Sequence, residues 1–296
     1  MEESKKVKKA IIPVAGFGTR MLPATKAVAK ELLPILDKPL IQKIIEEAAE
    51  GGIEEIILIT RSGKEAIENH LDNNFELETL LKKTNKHKTL KKFPKYLLKN
   101  INILSIRQES PRGLGDAIFS ALPALEEGEP FAVFLPDEFL LPKGKDLDFK
   151  KMMDNYFNSG NGQLLVEKVP KRNITDYGVV DIKNSSISII KNKEVIDVVE
   201  KPSFNQAPSN LRIVGRYILP YEIMNFLSKL KPGKNKEIQL TDAIKKLLRT
   251  KDFKLEANLS NSSIFDCGSL KGFLGANIAV ASQDRKMKKY LKEILH

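Results

Sequence analysis

With 296 residues, 42% of them hydrophobic, the chain can close a full α/β core, and it contains no run of about 18 apolar residues that could span a bilayer. The single cysteine, Cys267, rules out an internal disulfide framework, and the opening residues lack the apolar stretch of a secretory signal, so a reducing, cytoplasmic setting is expected. The formal charge of +11 invites a nucleic-acid reading, but much of its excess is confined to positions 82–99.

In chain order, the first half alternates short β-branched runs with helical patterns, the signature of parallel strands joined by crossover helices. A strand at 10–14 leads through a glycine loop into an amphipathic helix over 39–52, whose Ile41, Ile44, Ile45 and Ala48 recur at helical spacing. A second strand at 54–60 precedes a helix over 64–74. The next segment, an insertion at about 79–100, holds Lys82, Lys83, Lys86, Lys88, Lys91, Lys92, Lys95 and Lys99, with no acid between Glu78 and Glu109. Its aromatics are Phe93 and Tyr96, and it matches no helix-turn-helix, finger or RNA-binding pattern. It reads as a solvated surface insertion, and nucleic acid is not an expected partner. A strand at 102–108 leads through a second glycine turn into a helical stretch, and a strand at 131–137 ends on Asp137. This predicts an α/β fold with a Rossmann-like, doubly wound, mainly parallel mixed sheet and ligands at the carboxyl ends of its strands.

From about position 160 the strands shorten, at 162–169, 177–182, 195–202 and 210–219, and read as antiparallel pieces. Helices return at 220–230 and 239–249, where Asp242 reads as an N-cap; a late strand lies at 254–259, and one long helix is expected from about Leu270. No internal repeat and no Pro/Gly/Ser-rich linker divides the chain, so one domain is expected.

The segment VAGFGTRMLPATKAVAKELLP, at 14–34, is the most informative. Directly after a strand, Ala15, Gly16 and Gly18 leave little side chain in the way, so backbone N–H groups can approach a phosphate or a base, and Arg20 and Lys30 follow as cations suited to a triphosphate. The dinucleotide-binding fingerprint fails, because Met21 stands where its third glycine belongs and Thr60 and Arg61 follow the second strand in place of an acid. A P-loop also fails, because Leu58 replaces the glycine that should precede Gly63 and Lys64.

Gly16, Gly18, Thr19 and Arg20, followed by Lys30, Glu31, Leu32, Leu33 and Pro34, resemble the signature of the sugar-1-phosphate nucleotidyltransferases, and the form VAGFGTRMLPATK is similar to the branch that uridylylates glucose 1-phosphate. Further segments match in order along nearly the whole chain: IENH at 67–70, GLG at 113–115, LPD at 135–137, YGVVD at 177–181, EKP at 200–202, APSNLRIVGRY at 207–217, EIQLTDAI at 237–244 and DCG at 266–268.

The resemblance implies UTP and glucose 1-phosphate as substrates, UDP-glucose and pyrophosphate as products, and a homo-oligomer, dimer or tetramer. It implies a nucleotide-binding half at about 9–160, a sugar-binding region at about 161–269 and a terminal helix at about 270–296. Carried over by position, Asp137 and Asp266 hold Mg²⁺, which takes one or two carboxylates together with water and phosphate oxygens. Arg20, Lys30 and Lys201 join Asp137 in catalysis. Ala15, Gly16, Gly18, Gln108 and Gly113 contact the nucleotide, and Gly178, Glu200, Lys201, Val214 and Gly215 contact the sugar phosphate. A phosphate nucleophile is already ionised near neutral pH and needs no general base, in keeping with three histidines, His70, His87 and His296, that fall in no motif suggesting one. Asp116, after GLG, departs from the family pattern, where histidine is expected, and so does Glu138 beside Asp137.

Overall fold

Strand β1, Lys9–Pro13, is apolar throughout its centre because both of its faces are covered. Ala10 and Ile12 point into one core and Ile11 into another, and the same alternation continues in β4, Glu55–Thr60, and β6, Phe131–Phe134, which flank β1 in parallel. The computed structural model describes residues 6–94, 98–183, 193–233 and 236–294. A two-residue ribbon, β2 at Pro34–Ile35 and β3 at Lys38–Pro39, leads into the first helix. The remaining strands are β5 (Asn102–Arg107), β7 (Glu138–Leu141), β8 (Gly162–Lys168), β9 (Gly178–Ile182), β10 (Lys193–Glu200), β11 (Leu211–Leu219), β12 (Leu255–Leu259) and β13 (Ser263–Asp266). Among the described residues, nine of the thirteen strands form one sheet in the order β5-β4-β1-β6-β11-β8-β12-β10-β9, so the two halves of the chain share this sheet and the cores on its two faces.

Helix α1, Leu40–Glu50, and the later α6, Asp148–Ser159, cover one face with Ile41, Ile44, Ile45, Phe149 and Met152. Gly51 ends α1 and lets it lie against α6, since a Cβ there would stand 2.2 Å from the Phe149 ring. Helices α5, Leu114–Phe119, α7, Ile223–Leu227, and α8, Leu240–Arg249, cover the other face with Ile118, Met224, Ile244 and Leu247. Helices α2, Glu65–Leu71, α3, Phe75–Lys83, and α4, His87–Leu90, follow β4; the basic segment begins within α3 and runs through α4, and its described lysines are all exposed. Lys95 and Tyr96 lie outside the described residues.

Three expectations need correction. The late strands are antiparallel to their neighbours except β12, which runs parallel to β8; the chain reaches it through α7 and α8, so no hairpin dictates its direction. The last helix is two, α9 at Leu270–Ala281 and α10 at Arg285–Ile294, because Asp284 Oδ1 accepts the N–H groups of Lys286 and Met287, both at 2.9 Å, and starts a new helix. Asp242 is not the cap of α8: Gln239 holds that place, and Asp242 sits inside the first turn, where its charge complements the helix dipole.

Candidate active site

The glycine loop leaves β1 and folds back on itself. Gly18 adopts φ 67°, which favours glycine, and Thr25 Oγ1 donates to its carbonyl at 2.8 Å. This fold carries Lys30 beneath Gly16, where a Cβ would lie 3.8 Å from Lys30 Cε. Lys30 Nζ then reaches Asp137 Oδ2 at 2.7 Å, and Arg20 Nη1 meets Asp266 Oδ2 at 2.7 Å while its Nη2 stands 3.7 Å from Asp137 Oδ2. Two cations from the loop therefore face two carboxylates from distant parts of the chain.

The carboxylates meet through a small ribbon. Asp137 occupies the turn between β6 and β7, and β7 pairs antiparallel with β13 so that Asp266 lies opposite Glu138. Cys267 N–H donates to the Asp137 carbonyl at 2.7 Å, and Gly268 N–H donates to Asp266 Oδ1 at 3.0 Å. A Cβ at Gly268 would stand 3.0 Å from Asp266 Oδ1 and 3.1 Å from Asp137 Oδ2, so both side chains face one small space that this glycine keeps open. Behind it, Gly272 lets α9 pack directly on the Asp266 backbone, whose oxygen would be 2.0 Å from a Cβ.

Burial opposes the charged form of Asp137, but the nearby Lys30 ammonium outweighs it and holds the carboxyl below its ordinary range. Burial likewise opposes the charge on Lys30, and Asp137 more than restores it, so the ammonium is held above its usual value. Both stay ionised at neutral pH. Burial pushes the Cys267 thiol up to about 12, so no thiolate competes beside these oxygens.

The opposite wall belongs to the later strands. A cleft of about 630 Å³ runs from Arg20, Asp137 and Asp266 to Gly178, Glu200 and Lys201, with Tyr177, Gln239 and Thr241 between them. Glu200 Oε2 accepts from Thr241 Oγ1 at 3.0 Å, and it passes so close to Gly178 that a Cβ there would be 3.2 Å away. Lys201 takes φ 43°, an uncommon value for a residue with a side chain, and its N–H donates to the Tyr177 carbonyl at 3.1 Å.

A glycine loop with two cations, set against paired carboxylates at the carboxyl edge of a parallel sheet, is matched at the level of sequence. The nucleotidyl transferase family model matches residues 9–283. The chain belongs to the nucleotidyl transferase family. This transferase is 41% identical over 291 residues to the UTP–glucose-1-phosphate uridylyltransferase of Haemophilus influenzae, covering 97% of each chain. It is 44% identical over 274 residues to the enzyme of that name from Escherichia coli K12, covering 92% of this chain and 89% of the other. The UTP-bound UGPase of Acinetobacter baumannii superposes with a TM-score of 0.88 at 39% identity over 98% of each chain.

In the transferase, Arg20, Asp137, Asp266, Gly178, Glu200 and Lys201 all line the cleft, with Lys30 bonded just behind it. Ala15 and Gly16 follow β1, Gln108 follows β5 and Gly113 caps α5 against Ile238, and none of the four is among the residues lining this cleft; the Ala15 carbonyl accepts from Arg61 Nε at 2.9 Å, and Gln108 N–H donates to Thr60 O at 2.8 Å. Val214 and Gly215 sit deeper. Val214 is fully buried, and Gly215 packs so tightly under Leu135 that a Cβ would be 2.4 Å from the leucine Cβ. Glu138 does not face the carboxylate pair; it is buried, bonded to the Arg212 guanidinium and the Gly215 N–H, and underpins the cleft floor. Sequence reasoning missed Tyr177, Gln239 and Thr241 as lining residues. Their signal lies in the YGVVD and EIQLTDAI segments, beside Gly178 and Asp242.

Proposed function

We propose that this transferase joins UTP to glucose 1-phosphate, giving UDP-glucose and pyrophosphate. The observation that carries the reading is the convergence of Asp137 and Asp266 on one space, flanked by Arg20 and Lys30, at one end of a cleft whose other end holds Glu200 and Lys201. The names of the relatives, which act on UTP and glucose 1-phosphate, support the substrate pair.

Asp137 and Asp266 offer hard oxygen donors only, which fits Mg²⁺, and among the described residues no cluster of three or more His, Cys, Asp or Glu competes for a metal. When bound there, the ion supplies positive charge to the phosphate oxygens of the nucleotide. Arg20, more than half exposed at the mouth, binds the triphosphate, and Lys30 fixes Asp137 while presenting its charge beside Gly16. Ala15, Gly16, Gln108 and Gly113 take the uracil, and Gly18 sets the loop that the phosphates lie along. Gly178, Glu200 and Lys201 orient the glucose and its phosphate, Glu200 by accepting from hydroxyls and Lys201 by charge, with the backbone at Val214 and Gly215 supporting that wall.

A phosphate oxygen of glucose 1-phosphate attacks the α-phosphorus of UTP in line, and pyrophosphate leaves. No proton has to be removed from the nucleophile. Among the described residues no histidine lines the cleft; His70 is bonded to Gln42 instead, with burial pushing its pKa down. Rate enhancement comes from alignment and charge neutralisation.

Pyrophosphate release, measured for each nucleoside triphosphate against a panel of sugar 1-phosphates, tests the assignment. UTP with glucose 1-phosphate is expected to have the highest kcat/KM. A different best pair, dTTP with glucose 1-phosphate for example, contradicts it.

A further inference from the structure

We infer that Asp116 fixes which way round the Gln108 amide sits, and so makes the base pocket accept a pyrimidine that donates at N3 and refuse one that accepts there. This rests on the nucleotide reading above and adds to it a residue that touches no substrate.

Gln108 stands at the end of β5, anchored through its backbone to β4 and almost fully buried. Its Nε2 donates to Asp116 Oδ2 at 2.7 Å. Asp116, in the first turn of α5, is itself 5% exposed, and its second oxygen is held by Arg112 Nη2 at 2.8 Å. A side-chain amide can ordinarily exchange its two ends by rotation at little cost, and its neighbours decide which end points where. An ionised carboxylate offers acceptors and no proton. With one Asp116 oxygen clamped by Arg112 and the other accepting from Gln108, the nitrogen end of the amide faces the carboxylate and the oxygen end is left over. Among the described residues no protein donor meets Gln108 Oε1, and it is not among the buried polar atoms left without a partner, so it remains open to a ligand.

A free carbonyl oxygen at that position accepts from the N3–H of uracil or thymine. Cytosine carries a lone pair at N3, so the same oxygen faces another acceptor, and a hydrogen bond is replaced by repulsion with both groups desolvated. Such a mismatch is worth on the order of 10² in relative affinity. A carboxylate at position 116 presents acceptors only, whereas an imidazole there would present either a donor or an acceptor to Gln108.

Asp116→Asn is the direct test, because it keeps the shape and removes the constraint. Arg112 retains the Oδ1 of the new residue, which turns its Nδ2 toward Gln108; the glutamine then reverses and offers Nε2 to the base. The ratio of kcat/KM for UTP over CTP is expected to fall by at least tenfold from wild type to variant, with dTTP following UTP because it shares the N3–H. UTP and CTP affinities measured by calorimetry should move in the same sense, and this holds whether or not the variant turns over well. The double change Arg112→Met with Asp116→Asn, which frees both amides, should give an intermediate ratio. An unchanged UTP to CTP ratio, or equal losses for both nucleotides, overturns the inference. Wild-type protein that binds UTP no better than CTP also overturns it, while wild-type protein that prefers UTP in binding but forms no UDP-glucose contradicts only the functional reading.

Discussion

Gly268 has no side chain at the point where one would fill the space between two carboxylates. An added methyl would meet Arg20 Nη2 at 2.5 Å, and because that is the end of a flexible, largely exposed side chain it can move, whereas Asp266 Oδ1 is held by the Gly268 N–H and Asp137 Oδ2 by the Lys30 ammonium. Gly268→Ala is therefore expected to lower turnover by about 10² while leaving the urea midpoint near that of wild type. Full activity in this variant, or loss of activity only in step with unfolding, contradicts the geometry. The Lys30–Asp137 pair sets the pH window of the same corner. Asp137 has its folded pKa depressed, so its contribution to stability is present above the unfolded value of about 3.9 and is lost as pH falls through the folded value. Lys30 has its folded pKa raised, so its contribution is present below the unfolded value of about 10.4 and is lost as pH rises through the folded value. Between those limits neither group titrates. The acid limb of activity then belongs to the substrate, whose phosphate takes its second charge near about pH 6.

The element that makes the site is the β7–β13 ribbon, and it is held from below by an ion pair that crosses the core. Arg216 of β11 is fully buried, and its guanidinium meets Glu47 of α1 at 2.8 and 2.7 Å and donates to the carbonyl of Glu138 at 2.9 Å. Removing the carboxylate strands a cation in the interior, so Glu47→Ala should lower the unfolding free energy by about 3–5 kcal/mol in urea titrations. A loss below about 1 kcal/mol would mean that Arg216 finds solvent by another route. Elements of this kind mark where sequence reading stopped. The strands near 10–14, 54–60 and 131–137 were legible because a parallel sheet covered on both faces demands unbroken β-branched runs, whereas the largely exposed edge strand near 102–108 was legible only as the next step of the strand–helix alternation. The β7–β13 pairing was not legible, since Ser263–Asp266 is four half-buried residues with no hairpin to announce its partner. Neither was the break at Ser282–Asp284, where one aspartate restarts a helix inside a helical pattern, nor the inward turn of Glu138, which needs Arg212 beside it.

At the scale of the whole molecule, the nine-stranded sheet brings the glycine loop of its first strand to carboxylates contributed far along the chain. The described lysines of the basic segment stand apart from this arrangement, exposed and not lining the cleft. The motif GFGTR…KELLP and the two aspartates were readable as separate signals, and only the fold shows them within reach of one another. Two residues that hold one ion act as a unit, so their losses should not multiply. The decisive measurement is metal-dependent UDP-glucose formation in Asp137→Asn, Asp266→Asn and the double variant. Each single change is expected to cost at least about 10², and the double variant should be no slower than the worse single one. A single variant with the wild-type rate, or a double variant whose loss is the product of the two, would show that the carboxylates do not share an ion.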